Sequence, residues 1–167
     1  MQPTEVVTSA RRNARGARSR PFVAPGGLAR LAFAGPTGAP ARRAATDAAL
    51  LAGAALLAAS GLIHLYLWAN GYRNIATIGP LFLAQGIVGL ILAVLLVAFP
   101  RVATAAAGTG FLLATIAAFT LSASGGLFGF QDTLDAPWAT GALLVEIAGL
   151  ASLVVGGALP IAARSRS

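Results

Sequence analysis

From about residue 48 onward the chain alternates long apolar runs with short polar breaks. Four runs stand out, at about 48–68, 78–99, 102–124 and 138–161, and Glu146 is the one charged side chain among them. Each holds about 20 residues or more, enough at about 1.5 Å per residue to cross a hydrocarbon layer of ~30 Å. Lipid offers backbone N–H and C=O groups no partners, so runs of this kind fold as helices that satisfy themselves. The second and third runs are parted only by Pro100-Arg101, which demands a tight antiparallel hairpin. The pattern predicts an all-α protein, a four-transmembrane-helix up-down bundle occupying residues 46–163, with residues 164–167 as a short C-terminus.

The first 45 residues differ. They carry Arg11, Arg12, Arg15, Arg18, Arg20, Arg30, Arg42 and Arg43 among Pro, Gly, Ala and Ser, and no period survives the prolines at 21, 25, 36 and 40. A disordered basic N-terminal tail is expected. Arg42-Arg43 before an apolar run resembles a twin-arginine export signal, but the run is long and three more follow, so an uncleaved anchor is the expectation.

Composition agrees with a lipid solvent. The 167 residues are 57% apolar and 10% charged, against about 25% charged in ordinary soluble domains, and the mean hydropathy is +0.78. A net charge of +7 alone would suggest nucleic acid, yet eight of the twelve basic residues, all Arg, precede residue 44. The expected partner is therefore the bilayer, with a membrane-protein partner or a second copy next, and no nucleic acid. With both termini inside, eleven Arg face the cytoplasm and Arg73 alone faces out, the bias the positive-inside rule requires. Trp68, Tyr72 and Trp138 then fall at the outer interface. The absence of Cys excludes disulfides, thiolate metal sites, iron–sulfur clusters and thiol nucleophiles.

Helices in lipid associate through small residues. The second run offers Gly79, Gly86 and Gly89, the fourth Gly141, Gly149, Ser152 and Gly156, and the third a series of Thr and Ser hydroxyls. The residues that lipid makes expensive are fewer. Counted from the outer interface, His64, Gln85 and Glu146 lie about six to eight residues deep on three different helices, which at about 1.5 Å per residue is roughly 9–12 Å. A carboxylate at bilayer depth costs on the order of 3 kcal/mol on insertion scales, so Glu146 must be protonated, paired or turned to a hydrated space. Two readings stay open: a proton-handling pair or pocket built on His64 and Glu146, or an interhelical hydrogen bond that fixes register with Gln85 as third member. One His, one Glu and one Gln are too few for a metal site, and one shallow His argues against a b-type haem, so no cofactor is expected. Asp47 and the segment Asp135-Ala-Pro137-Trp138 read as helix starts. No catalytic motif is present, which leans against an enzyme.

The run Gly61-Leu-Ile-His64-Leu-Tyr-Leu-Trp68, continued by Gly71-Tyr72-Arg73-Asn74-Ile75-Ala-Thr77-Ile78-Gly79-Pro80-Leu-Phe82-Leu, resembles small four-helix integral membrane proteins of actinobacteria. Thr133-Leu-Asp135-Ala-Pro137-Trp138 followed by Glu146 is similar to the last loop and helix of the same group. The resemblance spans about residues 46–160 and implies a fold and a bacterial plasma membrane, without an activity. It also implies an outer-face cluster of Tyr72, Arg73, Asp132 and Asp135 above His64, with Arg73 pairing to an Asp as a lid; the plainer alternative is a solvated loop whose Arg73 snorkels to a phosphate.

The leading expectation is a non-enzymatic accessory or structural subunit of a membrane assembly, from small size and close-packing small-residue faces. The alternative is a small-molecule-binding or proton-coupled transport protein using His64 and Glu146. A third is a small membrane enzyme acting on a lipid or quinone.

Overall fold

The structure is a computed structural model that describes residues 40–164, with side chains as far as Ala158. Among these residues the chain forms four helices, α1 (Pro40–Ala69), α2 (Ile78–Ala98), α3 (Val102–Gly125) and α4 (Ala139–Arg164). All four are long and apolar enough to cross a membrane, and they run up and down as an antiparallel bundle. One end carries the α1–α2 and α3–α4 loops; the other carries the α2–α3 hairpin.

Local chemistry sets the breaks. At the close of α1 both the backbone N–H and the side-chain amide of Asn70 donate to the Tyr66 carbonyl, at 3.0 and 2.7 Å. A 3-10 turn, Tyr72–Asn74, then folds against the start of α2. The approach is so close that a Cβ at Gly79 would stand 2.5 Å from the Arg73 carbonyl oxygen. At the hairpin, Pro100 cannot continue α2, and Thr104 organises the turn: its hydroxyl lies 2.6 Å from the Phe99 carbonyl and accepts the Arg101 N–H at 3.1 Å. Past α3, Leu127 and Phe130 exchange backbone hydrogen bonds of 2.6 and 2.9 Å. The two residues between them, Phe128 and Gly129, have φ of 52° and 79°, a type I′ hairpin turn of the kind that matches strand twist.

Helix α1 is the centre of the bundle. It packs most intimately on α2 and α4, α3 packs on α4, and α2 and α3 touch least of the neighbouring pairs. Small residues permit these approaches. A Cβ at Gly61 would meet the Gly86 carbonyl oxygen at 2.9 Å, so α1 and α2 lie backbone to backbone there. On the α4 side Gly156 receives Leu50, and Gly149 receives Leu112. The core is a leucine cluster in the hairpin half: Leu50 and Leu57 of α1, Leu96 of α2, Leu112 of α3 and Leu153 of α4. Large apolar side chains such as Val94, Leu121 and Leu144 point outward, the orientation a lipid solvent favours.

Some boundaries differ from the sequence reading. The tail expected as far as residue 45 lies, up to residue 39, outside the described residues; residues 40–45 are helical. A proline is tolerated in a first helical turn, and Ala and Arg are good helix formers, so Pro40 does not stop the helix. Asp47 is consequently an exposed mid-helix residue and no cap. At α4 the Trp138 carbonyl accepts the Ala142 N–H at 2.7 Å, which makes Trp138, with φ of 67°, the capping residue in place of Asp135. The approach to this helix is held by Thr140, whose hydroxyl donates to the Leu134 carbonyl at 3.1 Å.

Candidate functional site

In the loop half the leucine core gives way to a cavity of about 90 Å³, room for several water molecules. His64 lies one turn from the end of α1, beyond Gly61, where α1 and α2 lie backbone to backbone. Its Nδ1 is 2.8 Å from the Ser60 carbonyl one turn back. A carbonyl only accepts, so Nδ1 carries the hydrogen and Nε2 of the neutral ring is an acceptor. The same residue serves Glu146 of α4: the Ser60 hydroxyl donates to Glu146 Oε1 at 3.2 Å. His64 Nε2 is 4.0 Å from that oxygen, beyond hydrogen-bond length. His64 is 6% and Glu146 2% exposed, and the fully buried Ser60 clamps both.

Gln85 of α2 lines the same cavity and donates through Nε2 to the Thr115 hydroxyl of α3, which lies 3.0 Å from the Phe111 carbonyl. The three side chains His64, Gln85 and Glu146 therefore share one cavity from three helices. Phe82 covers His64 with ring centroids 5.2 Å apart. Tyr72 stacks on Phe82 at 4.5 Å and meets Phe130 edge-on at 5.7 Å, which closes the loop end with aromatic rings. Burial first, and the nearby Asp132 carboxylate second, push the Tyr72 phenol above its ordinary pKa.

The expected outer-face cluster divides. Tyr72 and Asp132 line the cavity mouth, whereas Arg73 and Asp135 are exposed and do not line it. Among the described residues His64 and Glu146 form the one acid–base pair within 4.0 Å, so Arg73 closes no lid onto Asp132 or Asp135. The loop is held instead by Ser122, which accepts the Asp132 N–H at 3.1 Å and donates to the Phe130 carbonyl at 3.3 Å. Sequence reasoning counted Ser122 as one hydroxyl of a series and gave Ser60 no role. One signal for Ser60 was present, since it stands at i−4 from His64 where a ring nitrogen reaches the backbone. The Thr115 and Ser122 pairings depend on helix rotation and loop path, which no local pattern carries.

Among the described residues no group of three metal-ligating side chains converges. Comparison of the chain with protein-family models, with curated proteins and with solved structures found no match.

Proposed function

We propose that this membrane protein binds a small molecule in the loop-half cavity, with the polar group of the ligand at His64 and Glu146 and its body against the aromatic and aliphatic wall. One observation carries the reading: an imidazole and a carboxylate, both costly at this depth, are held apart by Ser60 and turned toward a shared cavity. The accessory-subunit reading drew on small-residue faces, but Gly61, Gly86, Gly149 and Gly156 are covered by helices of the same chain. The distribution of Arg supports an orientation with the hairpin and both termini in the cytoplasm and the cavity in the outer half of a bacterial plasma membrane.

The test is ligand-observed saturation-transfer NMR on the chain in non-ionic micelles, with a panel of short alcohols, amides and amines. Ala142→Phe, which places a ring in the cavity, is the control. At least one panel member is expected to bind and to lose binding in Ala142→Phe. Failure of every member, or binding that survives the substitution, would overturn the reading.

A further inference from the structure

Resting on that binding reading, the geometry points to a primary alkylammonium ion as the ligand, its N–H groups shared between His64 Nε2 and the Glu146 carboxylate. The argument is one of hydrogen-bond supply. With Nδ1 committed to the Ser60 carbonyl, His64 Nε2 presents a lone pair. Glu146 accepts the Ser60 hydroxyl at Oε1, and among the described residues its Oε2 has no protein hydrogen-bond partner, although the residue is 2% exposed. An unsatisfied acceptor buried this deeply is uncommon and calls for a donor.

The wall supplies few donors. The Gln85 Nε2 group is engaged by Thr115, the Thr115 hydroxyl faces the Phe111 carbonyl, and Ser122 is spent on the loop. What remains, beside the second Gln85 N–H and the Tyr72 phenol at the mouth, are acceptors. A ligand that meets two or more inward-facing acceptors needs several N–H or O–H groups on one atom, and an ammonium carries three and no acceptor.

Charge gives the same answer. Among the described residues no Arg lines the cavity, while two carboxylates do, Glu146 inside and Asp132 at the mouth. A bound cation supplies the counter-charge that a carboxylate at this depth requires. The rest of the lining suits an organic cation better than a metal ion. Phe82, Phe119, Phe130 and Leu143 favour a hydrocarbon chain and offer ring faces to a positive group, whereas hard cations take six or more oxygens. The small volume selects a short, unbranched chain.

The experiment compares n-propylammonium with its neutral analogue 1-propanol, near neutral pH in non-ionic micelles, for wild type, Glu146→Gln and Ala142→Phe. Wild type is expected to bind the ammonium at least about tenfold more tightly than the alcohol, and Glu146→Gln to lose about tenfold or more of that affinity, as charged hydrogen bonds outweigh neutral ones. Comparable binding of alcohol and ammonium, both abolished by Ala142→Phe, would overturn the ammonium assignment and leave the binding cavity standing. Absence of binding by either probe, or binding that survives Ala142→Phe, would overturn both. Should Glu146→Gln fail to fold, the ammonium-to-alcohol ratio of the wild type alone decides.

Discussion

The two halves of the bundle solve the same packing problem differently. Toward the hairpin, four helices meet through leucines, with Gly156 and Gly149 admitting Leu50 and Leu112. Toward the loops the same helices present His64, Gln85, Thr115 and Glu146 around a cavity, with Ser60 holding His64 and Glu146 from behind. In lipid the first arrangement gains chiefly from dispersion, because hydrocarbon solvates a separated helix about as well as a neighbouring leucine does. The second gains little from packing and retains polar groups that the bilayer penalises. Leucine packing is thus concentrated in one half and buried polar groups in the other.

Substitutions can break this division. The largest effect is expected where backbones touch. Gly61→Leu drives a side chain onto the Gly86 carbonyl and the Leu90 backbone, which cannot rotate away, and should cost about 3 kcal/mol or more, read as loss of monodisperse protein in mild detergent. Leu57→Ala, which empties the hairpin core, should cost about 2 kcal/mol, the low end for such truncations, because detergent weakens the transfer contribution and leaves mainly the cavity. Glu146→Gln, in the loop half, should change denaturation by less than about 1 kcal/mol, since an amide oxygen still accepts the Ser60 hydroxyl. A cost for Glu146→Gln as large as that of Leu57→Ala would dissolve the distinction between the halves.

The smallest effect concerns Tyr72. Tyr66→Phe leaves it the one tyrosine in the chain, so its ionisation can be followed by tyrosinate absorbance. The midpoint should lie above the ordinary value of 10.0, and Asp132→Asn should lower it only in part, because burial is the larger cause. The sign follows from linkage: a phenol raised in the folded state contributes stability that is complete below its unfolded pKa and is lost as pH rises through the folded one.

The same contrast explains what could be read from the residues alone. The four helices were legible because an apolar run of bilayer length has one backbone solution, and Pro100-Arg101 leaves room for one turn. The convergence of His64, Gln85 and Glu146 was legible by counting depth, since antiparallel spans of similar length place equal depths in one layer. Rotation about each helix axis was less accessible. Whether Glu146 meets His64 directly or through Ser60 depends on a few degrees of rotation, and a hydroxyl one turn away reads equally well as a small packing residue. Loop contacts were the least legible. Arg73, Asp132 and Asp135 are close in the topology, yet the type I′ turn and Ser122 direct Asp132 to the cavity mouth and leave Arg73 and Asp135 in solvent.

The loose contact between α2 and α3 has a mechanical consequence. These helices are joined by the shortest connection among the described residues, yet beside the cavity they are bridged by Gln85 and Thr115, while α1 and α4 grip each on its other side. The bundle is therefore closed at this seam by one polar pair and few apolar contacts. Because so little packing joins α2 and α3, the Gln85–Thr115 hydrogen bond carries a larger share of that seam's cohesion than any single polar contact carries where α1 meets its neighbours.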